Sequence, residues 1–130
     1  MPRAMQSPAA NAPSERSRVL TGALIEAAQR LGLNQNALRD IIGVSQPTAS
    51  RLLKDAYRIP EDSKTWELAA HLLRLYRSLV AMVGGSDELA RAWLTSANAA
   101  FDGRTPLDTI RRVDGLLYAC EYLDAHRARV

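Results

Sequence analysis

Hydrophobic residues recur at steps of three and four positions along most of the chain, the spacing that places them on one face of an α-helix. Between residues 18 and 31 this spacing joins Leu20, Leu24, Ala27 and Leu31, and Gly32 follows as a stop signal. No alternating pattern of strand length and no repeat of fixed period occurs. We therefore predict an all-α fold, with helices over residues 18–31, 35–42, 46–55, 62–83, 87–96, 107–113 and 115–126.

The longest predicted helix, over residues 62–83, carries apolar residues around a wide arc of its surface. One stripe begins at Trp66 and Ala69, and a second begins beside it at Leu68 and Leu72. A helix that is apolar over so wide an arc has to be covered on more than one side. We predict that it is the central helix, which either links the two halves of the chain or lines a dimer interface.

Two short predicted helices meet at a tight turn around Gly43, an arrangement typical of a helix-turn-helix. Gly43 suits the left-handed conformation that ends a helix, Ser45 can cap the next one, and Pro47 lies in its first turn. The outward face of this next helix is short, polar and basic, as on a helix that enters the DNA major groove. The candidate DNA-binding residues are Ser45, Gln46, Thr48, Ser50, Arg51 and Lys54.

The candidate side chains differ in whether they suit the edges of DNA bases or the phosphates. Gln46, Thr48 and Ser50 are expected to meet base edges, and Arg51 to meet a base or a phosphate. Because one short helix makes few contacts, a dimer is expected for useful affinity. Phosphate contacts are expected from Lys54, Arg58 and Lys64.

Arg39 departs from the usual helix-turn-helix pattern. The residue after Leu38 is normally small, because the following helix crosses close to it. Two arrangements remain open: the helix crossing is opened slightly, or Arg39 extends its aliphatic stem along the surface and leaves its charge in solvent.

The net charge of the chain is +3, and the positions of the charged residues are more informative than this sum. Residues 1–64 hold nine Lys and Arg against six Asp and Glu, whereas residues 65–130 hold eight of each kind. The excess therefore lies in the half that carries the helix-turn-helix, which agrees with phosphate contact there. Residues 1–16 are rich in Pro, Ala, Ser and Asn and are predicted to form a disordered tail. Alternatively this region is an arm that follows a phosphate backbone with Arg3, Arg16 and Arg18.

The composition argues against several other functions. Cys120 is the only cysteine and lies on a predicted apolar helix face, which excludes an internal disulfide and indicates a core residue. His71 and His126 are far apart in the sequence and have no cysteines near them, so no metal site is expected. The paired acidic residues lie at predicted helix starts, where capping accounts for them. We expect no enzyme, no cofactor and no membrane span, and a cytoplasmic protein without a secretory signal.

The second half of the chain carries a spaced set of residues that resembles a known family. The set is Arg91-Ala92-Trp93-Leu94, Asn98, Phe101, Gly103, Pro106-Leu107-Asp108, Gly115 and Tyr122-Leu123-Asp124. With the helix-turn-helix over residues 18–58, it resembles the Xre/MbcA/ParS antitoxins, whose toxin-binding domain corresponds to about residues 62–128. The residues that match motif positions, and that we assign to shaping the domain, are Trp93, Asn98, Phe101, Gly103 and Pro106.

The resemblance implies the antitoxin of a type II toxin–antitoxin system, a small helical homodimer within a hetero-oligomer. Its N-terminal half is expected to repress its own operon by binding operator DNA. Its C-terminal half is expected to block the active site of a toxin with a RES domain, an enzyme that consumes NAD or transfers parts of it. The basic tail suits an acidic or phosphate-binding active site. The predicted toxin-binding residues, expected to be free to enter a cleft, are Asp124, His126, Arg127, Arg129 and Val130.

The resemblance also divides the chain. Residues 1–16 form the tail, residues 17–60 the helix-turn-helix region, and residues 61–130 the helical domain for toxin binding and dimerisation. Two other interpretations stay open. The chain is either a plain helix-turn-helix repressor whose C-terminal half only dimerises or senses a ligand, or a helical adaptor that does not bind DNA, as Arg39 and the modest charge would allow.

Overall fold

A computed structural model describes residues 13–128 of the chain. Over this range the chain forms seven α-helices and one short 3-10 helix, without a β-strand, so the predicted all-α fold is confirmed. The helices are α1 (Glu15–Leu31), α2 (Gln35–Ile42), α3 (Gln46–Leu53), α4 (Lys64–Met82), α5 (Asp87–Thr95), α6 (Pro106–Thr109) and α7 (Val113–Ala128), with the 3-10 helix (Ala99–Phe101) between α5 and α6.

Polar side chains cap the starts of six of these α-helices, each by accepting a hydrogen bond from a free backbone N–H. The caps are Ser14, Asn34, Ser45, Ser63, Ser86 and Thr105. Ser14 was not predicted, and it moves the start of α1 three residues upstream of the expected Arg18, because its hydroxyl accepts from Ser17 N–H at 3.0 Å. Glu15 and Arg16, assigned to the tail from the sequence, therefore form the first turn of α1.

Several other helix bounds also differ from the prediction. The third helix ends at Leu53, and Asp55 then takes a left-handed φ of 59°. The central helix begins at Lys64, because Asp62 is also left-handed and Ser63 supplies the cap. The helix expected over 107–113 is the four-residue α6, and α7 already begins at Val113. Asp114 thus lies inside the first turn of α7.

α4 is the centre of the fold, as its wide apolar arc predicted. It packs against α7 on one side, against α1 and α2 on another, and against α5 near its end. Its fully buried residues Leu72 and Leu79 belong to one hydrophobic cluster with Leu38 of α2 and Leu123 of α7. The helix-turn-helix and the C-terminal helices therefore share a single core.

The link between α3 and α4 is fastened to α1 through Ile59, whose side chain is fully buried. The hydroxyl of Ser17 donates to the Ile59 carbonyl at 2.5 Å, and the hydroxyl of Thr21 accepts from the Ile59 N–H at 3.0 Å. Both hydroxyls come from buried residues of α1. An extended residue followed by Pro60 has no helical partners for its backbone, so these two side chains satisfy it instead.

Cys120 lies in the core, as predicted. It is fully buried, its thiol donates to the His71 carbonyl at 3.3 Å, and burial raises its pKa to about 11. A thiol with so high a pKa holds almost no thiolate at neutral pH, which makes it a poor nucleophile. Among residues 13–128, no three His, Cys, Asp or Glu side chains gather closely enough to hold a metal ion. Within that range, no helix has the length and apolar character that a membrane crossing requires.

Candidate functional surfaces

The turn between α2 and α3 has the geometry expected of a helix-turn-helix. Gly43 ends α2 with a φ of 69°, a conformation that a side chain disfavours, and its N–H donates to the Arg39 carbonyl at 2.9 Å. Ser45 caps α3 by accepting from Thr48 N–H at 3.2 Å, and Pro47 lies in the first turn. The hydroxyl of Ser45 also donates to Thr48 Oγ1, so it is occupied within the helix start.

The predicted outward face of α3 is on the surface. Gln46, Arg51 and Lys54 are exposed, Thr48 and Ser50 are half-buried, and the residues behind them pack into the core. Arg51 lies along this face, because its Nη2 donates to Thr48 Oγ1 at 3.2 Å and its guanidinium is 6.0 Å from the centre of the Tyr57 ring. All six predicted DNA-binding side chains are therefore at least partly accessible, with the basic ones toward the C-terminal end of α3.

Arg39 takes the second of the two arrangements left open by the sequence. Its charged end is on the surface, with 36% of the side chain exposed, while Leu38 and Ala49 at the crossing of α2 and α3 are fully buried. The guanidinium pairs with Asp40 at 3.0 Å and donates from Nη1 to Gln46 Oε1 at 3.3 Å. The crossing is therefore closed, and Arg39 reaches across it onto α3.

Asp40 was not among the candidate residues, because no sequence pattern distinguishes it. It accepts from Arg39 Nε at 3.0 Å and, on its other oxygen, from Arg111 Nη1 at 2.7 Å. Partial burial acts to raise the pKa of Asp40, but hydrogen bonds from Arg111 and Arg39 outweigh it, so the pKa lies below its ordinary value. Arg111 is 71 residues away in the chain, and no local pattern relates such a pair.

The other candidate phosphate-binding residues form surface ion pairs. Arg58 pairs with Asp55 at 2.9 Å, and Lys64 pairs with Glu67 at 3.4 Å. Exposed pairs of this kind contribute little to stability, so both cations can exchange a carboxylate for a phosphate at small cost. Arg16, a candidate of the arm, instead pairs with Glu61 at 3.0 Å and lies over the Trp66 ring. Arg18 is exposed beside the α3–α4 link, and Arg3 lies outside the described residues.

Trp93 and Phe101, two of the family-motif residues, form the centre of an aromatic cluster between α5 and α7. Their rings meet edge to face, with centroids 5.5 Å apart. Phe101 also meets Tyr118 at 5.2 Å and Tyr122 at 5.5 Å, both edge to face, and Trp93 stacks on Tyr122 at 6.4 Å. These geometries are the favoured ones for aromatic pairs. The cluster fixes α7 against the rest of the domain.

The remaining motif residues shape the turn that leads into α6. The side chain of Asn98 accepts from Ala100 N–H at 2.9 Å. The backbone carbonyl of Asn98 accepts from Phe101 N–H at 2.9 Å and from Gly103 N–H at 3.0 Å. Gly103 has a φ of 77°, which a glycine adopts without strain. Pro106 is buried at the first position of α6. These contacts are local to the turn and the start of α6, and the shaping role assigned to the residues stays a prediction.

The predicted toxin-binding residues on α7 are less free than expected. Asp124 accepts from Arg74 Nε at 2.8 Å and from the Ser78 hydroxyl at 2.7 Å. These bonds, from Ser78 first and Arg74 next, hold the pKa of Asp124 below its ordinary value. The expectation that its side chain is free to enter a cleft is therefore wrong, because α4 presents two donors directly opposite it.

The helix α7 continues to Ala128. The ring of His126 lies 5.0 Å from that of Tyr122, and Arg127 donates to the Ser78 hydroxyl at 3.2 Å. His126 and Arg127 are both exposed. Two further candidates, Arg129 and Val130, lie outside the described residues.

A cleft of about 480 Å³ lies between the C-terminal parts of α4 and α7. Its lining combines three arginines with one aspartate, which makes this surface basic. The lining residues are Arg74, Arg77, Ser78, Asp124 and Arg127. Arg74, Arg77 and Ser78 could not be selected from the sequence, because only the packing of α4 on α7 brings them to the predicted residues.

Comparison with known protein families gives two matches, which cover consecutive parts of the chain. Residues 11–74 match the antitoxin Xre-like helix-turn-helix domain, and residues 78–129 match the antitoxin Xre/MbcA/ParS C-terminal toxin-binding domain. No curated protein matches the chain. The resemblance predicted from the motif residues is confirmed, because the two matches together span most of the sequence. The protein therefore belongs to the Xre/MbcA/ParS family of type II antitoxins, with an N-terminal helix-turn-helix for DNA and a C-terminal domain for a partner toxin.

Proposed function

We propose that this antitoxin neutralises a toxin with a RES domain by placing the end of α7 over the toxin's active site. The same protein, as a homodimer within the toxin complex, represses its own operon through α3. The match of residues 78–129 to a toxin-binding domain carries the proposal, because this range contains α5, α6 and α7 and the whole aromatic cluster.

The contacts of α7 support its assignment as the inhibitory element. Trp93, Phe101 and Tyr122 hold its middle, and Arg74 and Ser78 hold Asp124 near its end. A helix that is already fixed loses little conformational entropy when it binds a partner. The exposed side chains that follow, His126 and Arg127, are then presented in a defined position and add a basic surface.

The exposed face of α3 supports operator binding. Gln46, Thr48 and Ser50 offer hydrogen-bonding groups for base edges, and Arg51 and Lys54 offer charge for bases or phosphates. Two copies related by a dimer axis would place two such faces on successive turns of the major groove. The affinity of the protein for its own promoter DNA should then fall steeply as salt concentration rises.

Co-expression with the neighbouring toxin gene tests the proposal. We expect the full-length protein to copurify with that toxin and to relieve the growth arrest that the toxin causes. A protein that neither copurifies nor restores growth would contradict toxin neutralisation. If the neighbouring gene encodes no RES domain, the assignment of the toxin class is wrong.

A further inference from the structure

Four polar side chains connect the C-terminal domain to the DNA-facing helix in an unbroken chain. Arg111, between α6 and α7, donates from Nη1 to Asp40 Oδ2 at 2.7 Å. Asp40 accepts on Oδ1 from Arg39 Nε at 3.0 Å, and Arg39 Nη1 donates to Gln46 Oε1 at 3.3 Å. The amide nitrogen of Gln46 donates in turn to Asn36 Oδ1 at 3.2 Å.

These contacts fix the orientation of the Gln46 amide. Its oxygen faces the guanidinium of Arg39 and its nitrogen faces the oxygen of Asn36, so a reversal of the amide would break both hydrogen bonds. An amide has two donor hydrogens and two acceptor lone pairs. One donor and one acceptor therefore stay available, which is the pair that a glutamine uses on the edge of an adenine.

Arg39 suits this role because a guanidinium is a planar fork that can serve two acceptors at once. Its position is set by Asp40, and the position of Asp40 is set in turn by Arg111. Arg111 is 32% exposed, yet its Nε is buried and has no hydrogen-bond partner within the described part of the chain. Arg111 is held in this place by its hydrogen bond to Asp40 at 2.7 Å, which is charge-assisted.

We propose that Arg39 is a positioning residue for DNA recognition, and that Arg111 holds it in place from the toxin-binding domain. Arg39 acts through Gln46, which it orients toward the base edges. Arg111 acts through Asp40, which fixes the guanidinium of Arg39. The inference rests on the proposed contact of α3 with operator DNA. Recognition of the operator sequence by α3 then depends on Arg111, a residue outside the helix-turn-helix.

The test compares Arg111→Gln with Arg112→Gln in the full-length protein, by titrating labelled promoter DNA. Arg112 is the matched control, because the substitution removes the same charge from the next position, where the side chain is 76% exposed and pairs with Asp114. We expect Arg111→Gln to weaken specific binding about tenfold, the size of one impaired base contact, and Arg112→Gln to have little effect. Equal binding by the two variants would overturn the inference.

A double-mutant cycle separates positioning from direct contact. If Arg111 acts through Gln46, then Arg111→Gln causes no further loss in a Gln46→Ala background. The slope of log affinity against log salt should also stay unchanged, whereas loss of a phosphate contact lowers it by about 0.9. The same loss in both backgrounds, or a lower slope, would mean that Arg111 contacts DNA itself.

Folding and the parent proposal have their own controls. Circular dichroism and thermal melting should show that each variant is folded. Arg39→Gln interrupts the same series of hydrogen bonds at a different residue, whose side chain lies on the surface. It should also weaken specific DNA binding about tenfold. An undiminished affinity for Arg39→Gln would overturn the inference while operator binding still stands. No binding of promoter DNA by the wild-type protein would overturn operator binding, and the inference with it.

Discussion

Ser17 and Thr21 are buried polar side chains whose partners lie about forty residues away, at Ile59. The helical spacing of α1 identified its apolar face, but it gave no reason to expect two hydroxyls on that face. Their contact depends on how the α3–α4 link returns across α1. The ion pairs of Asp40 with Arg111 and of Asp124 with Arg74 were missed for the same reason. Side-chain partners at long sequence separation follow from helix packing and leave no local pattern.

Thr21→Val should destabilise the protein by about 1–3 kcal/mol. The substitution keeps the shape of the side chain but leaves the buried N–H of Ile59 without its acceptor. Urea unfolding monitored by circular dichroism measures the change. Thr95→Val is the control, because Thr95 is exposed and its hydroxyl donates to a carbonyl of its own helix. Equal stability of the two variants would mean that the Thr21 hydroxyl does not satisfy the Ile59 backbone.

Asp124→Asn should lower the free energy of unfolding at neutral pH. In acid, where the carboxylate of the wild type is protonated, the substitution should no longer lower it. Hydrogen bonds from Ser78 and Arg74 lower the pKa of Asp124, so its ionised form stabilises the fold. This contribution is fully present above the unfolded-state pKa of about 3.9 and disappears as the pH falls through the lower native pKa. After allowance for solvent screening, about 1 kcal/mol is expected at pH 7.

Urea unfolding of this variant and the wild type over a series of pH values measures the effect. Asp102→Asn is the control, because Asp102 is exposed and its left-handed backbone suits asparagine. A difference between Asp124→Asn and wild type that stays constant from neutral to acid pH would contradict the role given to these hydrogen bonds.

Among the helices, the predicted and observed bounds differ most at the junction of α6 and α7. The existence of α6 was predicted, and Pro106 and the Thr105 cap are local start signals for it. The end of α6 at Thr109 was not predicted, because it results from the close approach of α7. A Cβ added to Gly115 would lie 1.9 Å from the carbonyl oxygen of Thr109, so the two helices meet backbone to backbone. The requirement for glycine here is steric, and it can be seen only once both helices are in place.

Gly115→Ala should therefore destabilise the protein by at least about 1–3 kcal/mol, because the helices must move apart. Gly22→Ala is a matched control, since Gly22 lies inside α1 and a Cβ there meets no atom within 4 Å. That substitution should raise stability by about 0.5–1 kcal/mol, through the higher helix propensity of alanine. Thermal melting compares both with wild type. A neutral Gly115→Ala would contradict the close packing of α6 on α7.

In the whole molecule, one core joins the DNA-facing and toxin-facing parts across α4. The sequence predicted the helices, the central position of α4 and the exposed face of α3, because hydrophobic spacing and capping residues determine them locally. The family motif also located the aromatic cluster. The cleft beside α7 could not be predicted, because its arginines come from α4 and meet Asp124 only in the folded chain. We expect DNA binding and toxin neutralisation to be separable by substitutions at their surfaces, although both depend on one core.

Arg51→Ala should weaken operator binding by about tenfold or more and leave toxin neutralisation intact, because Arg51 is exposed on the face of α3. Removal of residues 125–130 should impair neutralisation more than DNA binding, since it deletes the exposed end of α7. DNA titration and a growth assay with the toxin compare the two variants. Equal loss of both activities in Arg51→Ala would contradict the assignment, and full neutralisation by the truncated protein would exclude a role for the tail.

Inhibition of the toxin by purified antitoxin tests the central claim most directly. The loss of NAD caused by the purified RES-domain toxin can be followed while this protein is added in increasing amounts. We predict that NAD loss stops as the antitoxin reaches the stoichiometry of the complex. NAD loss that continues unchanged in a large molar excess of folded antitoxin would contradict the claim that this protein blocks the toxin's active site.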